Sequence, residues 1–188
     1  MIDIVLVRES EVGFAEFAKH LGYSDVLFVF RSVEQALASD MKRKGVLVEV
    51  KDIAKVKKLG LLAFCHGTRE AIERGADVVF GFELDASKDK MHYREGGLNQ
   101  VLCELAHEKG VTIGFSLASL LQASPAQRAL LFGRIVQNVE LCRKYKVAMR
   151  IGSFAASPFG LRGAEDVISL FTQLGMTRTE AVDAFIAK

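Results

Sequence analysis

Val101-Leu102-Cys103-Glu104-Leu105-Ala106-His107-Glu108-Lys109-Gly110-Val111-Thr112-Ile113-Gly114-Phe115 changes its apolar period once, at Gly110. Before the glycine, Val101, Leu102, Leu105 and Ala106 share one face of a 3.6-residue period, which predicts a helix with one buried side. After it, five residues run almost unbroken in apolar character, as a strand does when both faces of its sheet are covered. The glycine suits the left-handed residue that ends a helix. A helix handing over to a buried strand is the repeating unit of a parallel sheet.

The same handover recurs along the chain. Strands are predicted over residues 2–7, 26–30, 46–50, 61–65, 78–84, 111–115 and 147–152, with Gly22, Gly45, Gly60 and Gly75 marking other junctions. Phe14, Phe17, Ala18 and Leu21 keep helical spacing. So do Leu131, Ile135, Val139 and Cys142, on the longest helix, which should start near Pro125 with Ser124 as its cap. Two helices broken at Gly175, over residues 164–174 and 179–187, should close the chain. Strict alternation predicts right-handed β-α-β units. The fold class expected is α/β, a compact, slightly irregular β/α (TIM-like) barrel of about seven parallel strands. It should form a single domain over residues 1–188, with an open doubly wound sheet as the alternative. The turn Arg8-Glu9-Ser10-Glu11 has no Gly-x-Gly-x-x-Gly, so no dinucleotide site is expected there.

Half of the 188 residues are hydrophobic, enough for one core, yet no run approaches the ~18 apolar residues needed to span a bilayer. Met1-Ile2-Asp3-Ile4 leads straight into a strand pattern without a basic segment and cleavage site, so no membrane and a cytoplasmic location are expected. Cys65, Cys103 and Cys142 lie far apart inside apolar runs, which argues for buried thiols rather than disulfides or zinc. The net charge is only +2, but it is unevenly spread. Between Pro125 and Gly163, Arg128, Arg134, Arg143, Lys144, Lys146, Arg150 and Arg162 face Glu140 alone, as in a binding stripe.

Bond-breaking machinery is sparse. Glu9, Glu49, His66, Glu83 and Asp85 fall near predicted strand ends and could hold a hard cation, giving a metal-dependent phosphoesterase at the barrel mouth as the alternative function. The first strand lacks the His-x-His pair such enzymes carry, and there is no Gly-x-Ser-x-Gly elbow or P-loop. The catalytic and metal-site expectation for this chain is therefore none.

The inventory for RNA is richer. Lys88, Lys90, His92, Tyr93 and Arg94 make a basic-aromatic loop after the fifth strand, able to fork onto phosphates and stack on unpaired bases. Asn99 stands at the following helix, where it can contact RNA or act as a cap. Arg134 and Asn138 share one helix face beside the apolar stripe. Arg143, Lys144 and Lys146 also suit a helix C-terminus. Arg150 interrupts an apolar strand and must reach a rim, a partner or a buried carboxylate. Lys42-Arg43-Lys44 is a further short cluster, of a kind that usually only solubilises.

His92-Tyr93-Arg94-Glu95-Gly96-Gly97-Leu98-Asn99, the strand ending Phe115-Ser116, and Arg134…Gln137-Asn138 with Cys142-Arg143-Lys144-Tyr145-Lys146-Val147 resemble the ribonuclease P protein component 3 family of archaea and eukaryotes. The resemblance is specific over residues 88–176 and looser but collinear over residues 1–87. It implies a barrel related to the polymerase-histidinol-phosphatase type without its metal-binding histidines. It implies a non-catalytic subunit of ribonuclease P, whose RNA cleaves the 5′ leader from precursor tRNA. The implied partners are the ribonuclease P RNA, precursor tRNA, protein component 2 and the other holoenzyme proteins. No cofactor is implied in the protein, with Mg2+ required by the catalytic RNA. An RNA- or partner-facing role carries over to Arg94, Asn99, Arg134 and Asn138.

Overall fold

The computed structural model describes residues 1–8, 11–85, 89 and 94–185. Strands β1 (Ile2–Leu6), β2 (Asp25–Phe30), β3 (Lys44–Leu47), β4 (Leu62–His66), β5 (Val78–Phe80), β6 (Thr112–Ser116) and β7 (Met149–Gly152) pair in chain order. Every pairing is parallel. Between them run α1 (Phe14–His20), α2 (Val33–Ala38), α3 (Ile53–Lys58), α4 (Arg69–Glu73), α5 (Gln100–Lys109), α6 (Leu117–Gln122) and α7 (Pro125–Lys144). Helices α8 (Ala164–Gln173) and α9 (Arg178–Asp183) follow.

The sheet closes on itself beyond β7. Phe154 N–H donates to Ile4 O at 2.7 Å and Leu6 N–H to Ala155 O at 3.0 Å, around a parallel bridge between Val5 and Ala155. The result is the nearly closed β/α barrel that alternation predicts. Asp3, fully buried, fastens the seam: its carboxylate accepts from Ser153 N–H at 2.7 Å and Ile4 N–H at 2.9 Å.

Two layers of apolar packing follow from the alternation of side chains along each strand. Ile4, Leu27, Val29, Phe64, Val78, Phe80 and Phe154 fill the interior, while the larger cluster lies between sheet and helices. Phenylalanines fit inside because glycines stand beside them on the adjacent strands. A Cβ at Gly45 would lie 2.7 Å from the Phe64 ring, and one at Gly114 would lie 2.9 Å from Phe80 Cβ. Phe154 holds a left-handed φ of 48°, which turns its ring inward to 4.7 Å from that of Phe80; His66 stacks on Phe80 from the rim at 5.0 Å. Aromatic rings therefore stopper the end where enzymes of this fold usually open a site.

Some strand limits differ from the sequence reading. The strand expected over residues 78–84 stops at Phe80, because Gly81 takes φ 83° and starts a 3-10 turn at Phe82–Leu84. The one expected over 46–50 is Lys44–Leu47, and Val50–Asp52 is a 3-10 turn. Lys146, with φ 56°, delays β7 to Met149. All three cysteines are buried and free. Among the described residues no helix is long and apolar enough to cross a membrane.

Burial pushes the Asp3 carboxyl up to about 6. The native state then holds this proton more tightly than the unfolded chain, so stability falls as pH rises from the ordinary aspartate range through about 6. Asp3→Asn should remove that part of the decline, roughly 3 kcal/mol between pH 4 and 7, as measured by urea unfolding. An undiminished decline in the variant would contradict this assignment.

Candidate RNA- or partner-facing site

Between β5 and α5, the described residues Glu83, Asp85, Asp89, Arg94 and Gly96 all meet the long helix α7. Ser124 and Gln127 form a capping box that fixes the start of α7, with Pro125 in its first turn. Leu131, Arg134, Ile135, Asn138, Val139 and Cys142 make the inward stripe. Two polar residues thus share a face with apolar ones.

Arg134 is 2% exposed. Its Nε and Nη2 donate to Asp89 Oδ1 at 3.0 and 2.9 Å, and its Nη1 donates to Glu83 O at 3.0 Å and Asp85 O at 2.6 Å. Asn138, also buried, donates from Nδ2 to Gly96 O at 2.7 Å. Glu95 N–H donates to Asp89 Oδ1, so the same carboxylate serves both limbs of the segment. Arg134 and Asn138 were expected to face RNA or a partner. Both instead point inward and act as positioning residues for Glu83, Asp85, Asp89 and Gly96.

The motif after them reads as geometry. Arg94 is exposed and lies across Gly133 of α7, where any Cβ would collide with its guanidinium. A Cβ at Gly96 would approach Asn138 Oδ1 to 2.6 Å. Gly97 has φ 80° and abuts the Phe82 carbonyl, so a side chain is excluded on both counts. Leu98 is buried, and Asn99 Oδ1 accepts from Leu102 N–H at 3.0 Å as the cap of α5. Lys88, Lys90, His92 and Tyr93 lie outside the described residues, as does Glu9.

The remaining predicted cations divide. Arg128 donates to the carbonyls of Leu120, Leu121 and Ala123, finishing α6. Arg162 donates to Phe159 O and Leu161 O. Arg143 grips Glu180 through two nitrogens, at 2.8 and 2.7 Å, and holds its carboxyl down to about 2. Lys144 and Lys146 are exposed at the end of α7, with the Lys144 ammonium 5.3 Å from the Tyr145 ring. Arg150 sits half-buried at the start of β7.

Sequence reasoning missed Asp89, and it weighed Glu83 only as a possible cation ligand. Asp89 was hidden inside a run that reads as basic, although the position of Arg134 between Leu131 and Ile135 signals an inward guanidinium needing a carboxylate. Glu83 is 1% exposed, neither carboxylate oxygen has a hydrogen-bond partner, and burial pushes it up to about 7. It lines a cavity of about 630 Å3 between the 3-10 turn and α6–α7, with Leu84 and Leu130 on its walls. Among the described residues no three histidine, cysteine or carboxylate side chains are grouped to hold a metal ion.

Removing one partner of a buried ion pair strands the other, which usually costs about 3–5 kcal/mol. Arg134→Ala should destabilise by that order in chemical unfolding, and Arg134→Lys should recover little, since an ammonium cannot fork to Asp89 and two carbonyls at once. A loss below about 1 kcal/mol in the alanine variant would sink this account of the loop.

Residues 86–187 match the family model for RNase P subunit p30. Ribonuclease P protein component 3 of Methanosarcina acetivorans is 32% identical over 83% of this chain and 62% of that protein. Its counterpart from Thermococcus gammatolerans is 41% identical over 68% of this chain and 58% of that protein. The chain spans about three fifths of the length of these two relatives. In the cryo-EM structure of archaeal Ribonuclease P with mature tRNA, one chain superposes with a TM-score of 0.77 at 21% identity, covering 98% of this chain and 86% of that one. The barrel of A. niger ochratoxinase superposes at 0.51 and 14% identity, over 84% of this chain and 37% of that one. The model match spans more than half of the residues, including the loop tied down by Arg134 and Asn138, and the chain belongs to the RNase P subunit p30 family.

Proposed function

We propose that this chain is a protein subunit of ribonuclease P that supports the catalytic RNA in removing the 5′ leader from precursor tRNA, and breaks no bond itself. The observation that carries the reading is the family match over residues 86–187, which coincides with the loop that α7 holds in place. Its partners are the ribonuclease P RNA, precursor tRNA, protein component 2 and the other holoenzyme proteins. Mg2+ belongs to the RNA.

The work assigned to the protein is electrostatic. A folded RNA confines phosphates that repel one another, and fixed cations lower that cost by replacing condensed counterions. Arg94 lies across Gly133 of α7, and Lys144 and Lys146 stand exposed at the end of that helix, so part of the backbone ordering that binding requires is already met by the fold. Lys88, Lys90, His92 and Tyr93 belong to the same loop in sequence and are assigned the same partner, with the rings available for stacking. Arg128, Arg134, Asn138 and Asn99 serve by keeping helices and loop in register.

Affinity of the full chain for ribonuclease P RNA should fall with added salt, with a log–log slope of roughly −3 to −5 if about five phosphates are neutralised. Filter binding between 50 and 300 mM KCl measures it. A slope near zero would overturn the reading.

A further inference from the structure

Lys42-Arg43-Lys44, dismissed by sequence as a solubilising run, and Arg150, an odd residue in an apolar strand, meet in the fold. Together they line a cavity of about 250 Å3 where β1 to β4 and β7 begin, beside Ile2, Leu27 and Leu62. Arg150 also lines a neighbouring cavity of about 560 Å3, shared with Arg143 and Lys146 at the starts of β6 and β7. Segments a hundred residues apart thus form one surface at the N-terminal end of the barrel, with Arg150 at the junction.

Resting on the ribonuclease P reading, we infer that this end of the barrel, where Lys42, Arg43, Lys44, Arg143, Lys146 and Arg150 converge, binds the phosphate backbone of folded RNA. The local balance is positive. Asp25 offsets Arg43 at 2.8 Å and Glu180 offsets Arg143, while Asp183 lines the larger cavity. Lys44 reaches the Ser39 carbonyl, and Lys42 is exposed. Burial and the neighbouring Arg43 charge both work against the charged form of Arg150.

Helix polarity reinforces this. In a barrel of this kind the helices run against the strands, so their C-termini collect at the same end. Lys19, Lys57, Lys58, Lys109 and Lys144 occupy last turns. Dipole matching accounts for those lysines. It does not account for Lys42, Arg43 or Arg150, which lie outside any helix. The opposite end, stoppered by Phe80 and Phe154, mixes Arg8, Arg31 and Lys51 with Glu34, Glu49, Asp52 and Asp85 beyond its strand ends, so its charges largely offset one another.

The test uses the full chain, ribonuclease P RNA as probe, and two double charge reversals of equal net change. Lys42→Glu with Lys146→Glu alters the basic end at exposed positions; Arg8→Glu with Arg31→Glu, also exposed, alters the other end. The first pair should weaken binding about tenfold or more and flatten the salt slope by about two, while the second changes affinity less than about threefold. Thermal melts confirm that both variants fold. Equal losses from the two pairs, or unaltered binding by the first, would overturn the assignment of this face while leaving the subunit reading intact. Failure of the unaltered chain both to bind the RNA and to promote precursor-tRNA cleavage in a reconstituted holoenzyme would overturn both.

Discussion

The guanidinium of Arg134 is the fixed point that holds Glu83, Asp85 and Asp89 against α7. An ionised group removed from water is tolerated only when its donors are met, and here one carboxylate and two main-chain carbonyls meet them. Asp89 in turn accepts from the Glu95 amide, and Asn138 takes the Gly96 carbonyl four residues further along the same helix face. The outgoing and returning limbs of the loop are thereby pinned to α7. Gly96 and Gly97 are needed because the backbone comes too close to Asn138 and Phe82 for any side chain. Arg94 lies over Gly133 of the same helix.

The barrel supplies the frame and gives up the mouth. Interior phenylalanines meet glycines on the neighbouring strands, and the turn at Phe154 swings a third ring into the stack. Packing of this kind favours a rigid scaffold over a substrate pocket. Structural kinship with ochratoxinase at low identity concerns the frame alone. With the mouth filled, the basic groups gathered at the starts of the strands line the cavities there.

Most of the architecture was legible because it depends on pattern. The period change at Gly110 located α5 and β6, and Ser124-Pro125 located the start of α7. What stayed hidden depends on contacts between distant residues. Whether Arg134 points out or in is settled by Asp89 and the carbonyls of Glu83 and Asp85, none of which helical spacing reveals. Asn99 could be read as a contact or a cap, and the Leu102 amide shows the cap. The convergence of Lys42 and Arg150 likewise needs strand order, since only closure of the sheet brings β7 near β2 and β3. The early stop of β5 came from a left-handed Gly81 within an otherwise apolar run.

Fixed charge on a rigid frame should do for a folded RNA part of what free magnesium otherwise does. The most direct measurement is the Mg2+ midpoint of precursor-tRNA cleavage by ribonuclease P RNA with protein component 2, with and without this chain. A midpoint shifted severalfold to lower Mg2+ by the chain is the predicted result. An unchanged midpoint, or cleavage by the isolated chain without RNA, would contradict the account.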